Sequence, residues 1–118
     1  MAYMNAGLNV IRDWMVGDSA TAPVSIAIGT GSTSADVSQT ALVGEVFKDA
    51  FDSTSKSDRL AKFEMVLSTI EATGSTVREI GMFNSTTGTS GTMFTRNTFA
   101  AVDKTSAIEI QFEQRVEF

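Results

Sequence analysis

The sequence contains neither cysteine nor histidine. The absence of cysteine excludes disulfides, thiolate nucleophiles and thiolate metal ligands. The absence of histidine excludes imidazole ligands and the general base that enzymes use most often. Only carboxylates, lysines and hydroxyl groups remain for chemistry, and no pairing of a nucleophile with a base stands out among them. We therefore predict no catalytic residue, no metal site and no cofactor.

Basic charge and long apolar runs are also scarce. Nine lysines and arginines stand against fourteen acidic residues, a net charge of −5, and the basic residues are scattered. A nucleic-acid binder needs clustered basic side chains to neutralise phosphates, so we expect no such partner. No segment reaches the ~18 apolar residues that span a membrane, and residues 1–20 do not resemble a signal peptide.

The length and the apolar content indicate one globular unit. A chain of 118 residues with 42% apolar residues is long enough to bury a core and too short for two typical domains. We predict a single domain over 1–118. It would consist of a helical N-terminal segment at 1–18 and a sandwich at 22–118.

The stretch 6-AGLNVIRDWMVGD-18 has the spacing of a short helix. Leu8, Ile11 and Met15 recur at i, i+3 and i+7, and Trp14 lies beside them. A helix this short is marginal alone and must pack against something. It either covers one end of its own sandwich or inserts into a neighbouring subunit, where aromatic residues are enriched. These four residues are the candidate interface.

After Pro23 the apolar period changes to two, which is typical of strands. The clearest case is the end of the chain, where apolar residues alternate with polar ones and only Gln114 breaks the apolar face. The stretch 36–47 is ambiguous between a helical turn and a strand. The pattern predicts a mainly β protein, an antiparallel, jelly-roll-like β-sandwich with one short N-terminal helix. The predicted strands are 24–28, 60–67, 77–83, 92–99 and 108–118.

The stretch 29-GTGSTSAD-36 follows a strand and superficially resembles a phosphate-binding loop. Such a loop needs a Lys and then Ser or Thr after its second glycine, with a helix to follow, and neither is present. The dinucleotide fingerprint needs a third glycine, where this sequence has Ser34. We interpret Gly29 and Gly31 as structural turn residues, with either a positive φ or tight backbone packing.

We expect the charged residues of the last strand and the lysines to lie at the surface. Glu109, Glu113 and Glu117 share one face of the last strand with Arg115. That face is either solvated, a charged rim that meets a partner subunit, or a carboxylate pair for acid–base work. We also expect the chain's four lysines at the surface: Lys48, Lys56, Lys62 and Lys104.

Several segments together resemble a known group of proteins. In order they are a short helix, an Ile-Gly-Thr-Gly turn (28–31), Thr-Ala-Leu-x-x-Glu (40–45), Arg-Glu-Ile-Gly-x-Phe-Asn (78–84), and Lys-Thr-Ser (104–106) before the last strand. This order is similar to that of small virion proteins of tailed phages, which resemble tail-fibre, collar and baseplate-attachment domains. The resemblance implies a β-sandwich module that assembles in several copies and has no catalytic residues.

The resemblance leads to a functional expectation. The protein is expected to be a non-enzymatic structural component of the virion, in the tail, baseplate or fibre attachment, with itself and other virion proteins as partners. A decoration or head-fibre protein of the capsid is the alternative within the virion. A carbohydrate- or receptor-binding module is the alternative of another class, although Tyr3 and Trp14 are the chain's only Tyr and Trp.

Overall fold

The computed structural model describes residues 2–118. Met1, the first residue of the predicted 1–18 segment, lies outside the described residues. The described chain forms one helix and eight strands, which in chain order are β1 (Ala2–Tyr3), α1 (Asn5–Met15), β2 (Ser25–Gly29), β3 (Glu45–Ala50), β4 (Ser53–Ser57), β5 (Leu60–Leu67), β6 (Thr76–Phe83), β7 (Met93–Asp103) and β8 (Ile110–Glu117).

The strands form two antiparallel sheets. The large sheet has five strands in the order β1-β7-β6-β2-β3, and the small sheet has three in the order β4-β5-β8. The prediction of a mainly β sandwich with one short N-terminal helix is confirmed. The helix ends at Met15, three residues before the predicted end, and β7 continues four residues beyond the predicted end at 99.

The main core lies between the two sheets. Ile26 and Ile28 of β2 pair with Met82 and Ile80 of β6, and these four side chains form one apolar face of the large sheet. Alternate residues of β5 and β8 supply the opposing face, as their period of two predicted. Burying a side chain of this size contributes roughly 1.5–3 kcal/mol, so this layer dominates the stability.

The other face of the large sheet is also covered. The loop between β2 and β3 crosses it and buries Leu42 with Ala27 and Phe83 in a second, smaller core. The ambiguous stretch 36–47 is therefore not helical. It is a loop as far as Gly44 and a strand from Glu45 onward.

A buried ion pair fixes this covering loop. Glu79 on β6 and Arg96 on β7 are both fully buried. Arg96 Nε donates to Glu79 Oε2 at 2.9 Å, and Nη2 lies 2.8 Å from the same oxygen, out of line for a hydrogen bond. The Glu79 carboxylate also accepts backbone N–H bonds from Gly31 (3.1 Å), Val43 (3.1 Å) and Gly44 (2.7 Å). One carboxylate therefore holds both ends of the loop onto the sheet.

The position of this carboxylate explains the glycines of the Gly-Thr-Gly turn. Neither Gly29 nor Gly31 has a positive φ. Both are packed too closely for a side chain. A Cβ on Gly29 would meet Glu79 Oε1 and lie 2.6 Å from the carbonyl oxygen of Gly44, and a Cβ on Gly31 would lie 2.5 Å from Cβ of Val43. Tight packing, rather than unusual backbone angles, therefore requires glycine at both positions.

We expect Gly29→Ala to lower the free energy of unfolding by about 1–3 kcal/mol, because the new methyl group must displace either a buried carboxylate or a backbone carbonyl. Urea-induced unfolding measures the change. Ser32→Ala, at an exposed position just after this turn, is the control and should stay within about 0.5 kcal/mol. A Gly29 variant as stable as the control would contradict the packing explanation.

The prediction that all four lysines lie at the surface is wrong for two of them. Lys104 is 1% exposed, and its Nζ donates to the carbonyl oxygens of Thr69 (3.1 Å) and Thr105 (3.0 Å). The Lys48 side chain is also buried, with Nζ 3.8 Å from the centroid of the Phe83 ring. Both ammonium groups find acceptors or an aromatic face inside the fold, which compensates for their lost hydration.

Candidate assembly surface

Helix α1 packs on the large sheet through a glycine. Gly7 is buried against Phe94 of β7, and a Cβ at this position would lie 2.5 Å from Cα of Phe94. Trp14 stacks on the same ring, with centroids 6.5 Å apart, and its Nε1 donates to the carbonyl oxygen of Ala20 at 3.1 Å. Gly7 and Trp14 therefore hold the helix close to β7.

An apolar groove remains between α1 and the open end of the sandwich. Its volume is about 130 Å³. One wall consists of residues from α1, and the other comes from both sheets. The residues that define this groove are Leu8, Ile11 and Trp14 from the helix, and Phe63, Phe94, Val116 and Phe118 from the opposite wall.

The structure brings together three of the four residues predicted as the interface. Leu8, Ile11 and Trp14 line the groove, whereas Met15 projects beyond it and is 84% exposed. Leu8 and Trp14 remain partly exposed, so the helix does not bury its apolar face completely in its own sandwich. Phe118, 65% exposed, extends the same apolar surface. Contiguous apolar surface of this kind is typical of sites that contact another protein.

We expect Gly7→Ala to loosen α1 although alanine favours helix formation by about 1 kcal/mol. The added methyl group meets the backbone of Phe94, which cannot move without disturbing β7. The chain has one tryptophan, so a red shift in the emission of Trp14 reports the movement. Asn9→Ala, at an exposed helix position, is the control and should leave the emission unchanged. An unshifted Gly7→Ala spectrum would show that α1 has room to adapt.

The second feature of this surface is the outer edge of β8. This strand pairs with β5 on one side, and no strand of the described chain pairs with its other side. Its inner face carries Phe112, Gln114 and Val116. Gln114, which interrupts the apolar alternation in the sequence, is 5% exposed, and its Oε1 accepts a hydrogen bond from Thr95 Oγ1 at 3.3 Å.

The outer face of β8 is charged and exposed. The Arg115 guanidinium contacts the Glu113 carboxylate, and this hydrogen bond lowers the pKa of Glu113 below its ordinary value. Glu117 contacts Arg59 at 3.4 Å. Glu109 precedes the strand and is exposed. The arrangement agrees with either a solvated face or a charged rim, two of the three interpretations of this pattern.

The described residues offer no cluster suited to metal binding. Within 2–118, no group of three or more Asp and Glu side chains is placed to hold a metal ion. The single helix among these residues is too short to cross a membrane. Comparison of the sequence with protein-family models and with curated proteins gave no match.

Proposed function

We propose that this protein is a non-enzymatic structural subunit of a tailed-phage virion, located in the tail, baseplate or fibre attachment. The observation that carries the proposal is the exposed apolar groove beside the outer edge of β8, with which no strand of residues 2–118 pairs. A monomer gains nothing from leaving Leu8, Trp14, Met15 and Phe118 accessible, whereas a subunit needs such surfaces for assembly.

The segments that resemble phage virion proteins support this proposal because three of them meet at one place in the fold. The Ile-Gly-Thr-Gly turn supplies Gly31, and the Thr-Ala-Leu-x-x-Glu segment supplies Gly44. The Arg-Glu-Ile-Gly segment supplies Glu79, whose carboxylate binds both glycine amides. Three of the shared segments thus meet at the Glu79 carboxylate, which fixes the loop over the large sheet. The shared pattern does not resemble a catalytic motif.

Locating the protein in purified particles tests the proposal. An electron cryomicroscopy map should contain density for this sandwich in the tail or at its attachment. Copy number separates the two virion positions, since tens of copies or fewer indicate the tail or a vertex and hundreds indicate the capsid lattice. Particles without the protein, together with a purified chain that binds no virion component, would contradict the proposal.

A further inference from the structure

The outer edge of β8 is suited to pairing with another strand. It is eight residues long and carries an apolar inner face and a charged outer face. A long unpaired edge is a template for strand addition. The opposite edge of the small sheet is β4, whose five residues are all exposed and include no apolar side chain. Of these two edges, β8 is therefore the one that offers a partner strand an apolar face to continue.

The charges on the outer face of the small sheet form two rows. Glu64 of β5 lies opposite Glu113 of β8, and Lys62 lies opposite Arg115. Like charges directly opposite each other across a strand pair are unfavourable. Within the monomer they are balanced along each strand, by a Lys62–Glu64 contact at 3.6 Å and by the contact of Arg115 with Glu113. At the outer edge of β8, the acidic row therefore ends at Glu113 and the basic row ends at Arg115.

We propose that two copies of this chain pair antiparallel through β8, about a two-fold axis at Gln114. Glu113 of each copy then lies opposite Arg115 of the other. The inference deepens the proposed function and rests on it: the chain is an assembly subunit, and the partner at this edge is a second copy. In this register the acidic row of each copy continues into the basic row of the other, and the two small sheets become one.

The charge pattern selects this register over its neighbours. A slip of one residue turns the apolar face of the added strand outward. A slip of two residues in one direction places Glu113 opposite Glu113 of the second copy, and a slip of two in the other direction places Arg115 opposite Arg115. Each of these slips extends a row of like charges across the edge.

The apolar face fits the same register. Val116 lies opposite Phe112 of the second copy, and Phe118 lies opposite Ile110. Val116 and Phe118 also line the groove under α1, so the second copy covers apolar surface that the monomer leaves open at the groove. Removing such surface from water favours association. Backbone pairing, charge complementarity and apolar burial therefore agree on one self-complementary contact.

Sedimentation equilibrium of the purified chain tests the proposal. The wild type should show a concentration-dependent monomer–dimer equilibrium that weakens with added salt. Arg115→Glu should raise the dimer Kd by about tenfold or more, because it creates two rows of like charge at the contact. Within the monomer the same change places a glutamate opposite Lys62, so the variant should fold normally. A strictly monomeric wild type, or an unchanged Kd for Arg115→Glu, would overturn the proposal.

The double variant Glu113→Arg/Arg115→Glu tests the pairing itself. It restores opposite charges in a dimer of two variant chains, so its Kd should return towards that of the wild type. A mixed dimer with the wild type places like charges opposite each other at both positions. Native mass spectrometry of an isotope-labelled mixture should therefore show few mixed dimers. Mixed dimers in the proportion expected for random pairing of the two chains would refute the register.

Because the chain has no cysteine, crosslinking adds an independent measurement. A mixture of Glu113→Cys and Arg115→Cys chains should form disulfides faster than either variant alone, since directly opposed residues have Cα atoms about 4.5–5.5 Å apart. Equal rates would contradict the register. Particles that contain the protein without β8 crosslinks would overturn this inference and leave the proposed function standing. A chain that forms the β8 dimer in solution but is absent from purified particles would contradict the proposed function and leave the dimer standing.

Discussion

Replacing Arg96 with methionine is expected to lower the free energy of unfolding by about 3–5 kcal/mol. The change leaves the Glu79 carboxylate fully buried without its cation. Methionine fills much of the arginine volume, so the loss should come mainly from the unpaired charge. The hydrogen bond from Arg96 Nη1 to Gln39 Oε1, 3.2 Å long, is lost as well, which removes one contact between the loop and β7. Urea-induced unfolding monitored by circular dichroism measures the effect.

The double variant Glu79→Met/Arg96→Met distinguishes this site from an ordinary buried ion pair. Replacing both partners of such a pair by apolar residues is often neutral or stabilising. Here the backbone N–H groups of Gly31, Val43 and Gly44 also lose their acceptor. These three hydrogen bonds are partly buried, so each lost acceptor should cost less than the ~1–3 kcal/mol of a fully buried donor, and the double variant should still remain destabilised.

The control for both variants is Glu64→Gln, which removes the partner of Lys62 from a partly exposed pair. Pairs of this kind contribute at most about 1 kcal/mol. Recovery of wild-type stability by the double variant would contradict the role assigned to the Glu79 carboxylate. It would mean that the loop is held chiefly by Leu42 and the second core.

The ion pair illustrates what alternation in the sequence does not reveal. Neither 77–83 nor 92–99 alternates regularly, and charged residues such as Glu79 and Arg96 in antiparallel strands ordinarily lie on a solvated face. The loop 30–44 covers that face, and its path depends on contacts between residues far apart in the chain. The glycines at 29 and 31 were the available signal, because tight packing was one of the two explanations predicted for them.

The strands with clear alternation were predicted, whereas β4 was not. Residues 53–57 read STSKS and have no apolar period at all. The strand forms because β5 pairs with it across a turn at Asp58, which has a φ of 52°. Pairing of this kind is dictated by the neighbouring strand and leaves no mark in the pattern of the segment itself.

The candidate assembly surface was predictable in part. Helical spacing grouped Leu8, Ile11 and Trp14, and the structure places all three at the groove. That Val116 and Phe118 lie at the opposite wall of the same groove could not be predicted, because nearly the whole chain separates them from the helix in sequence. The charge rows depend on the register between β5 and β8, which a single sequence does not specify.

Trp14→Ala is expected to have the largest effect on assembly. Trp14 lines the groove that the second copy covers, and a tryptophan that is an interface hot spot contributes about 2 kcal/mol or more, which corresponds to a roughly thirtyfold higher Kd. The same change removes the stacking on Phe94 and the hydrogen bond to Ala20, so some stability of the monomer is lost as well. Both quantities must therefore be measured, the first by sedimentation equilibrium and the second by urea-induced unfolding.

Met15 separates the two effects because it is 84% exposed and contributes little to the monomer. Met15→Ser should change the free energy of unfolding by less than about 0.5 kcal/mol while it weakens self-association. Ile70→Ser is the matched control, since Ile70 is 85% exposed and lies in the loop after β5, away from the groove. It should alter neither quantity. If Trp14→Ala destabilises the monomer but neither helix variant weakens association, α1 serves only to cover its own sandwich, and the interface must lie elsewhere.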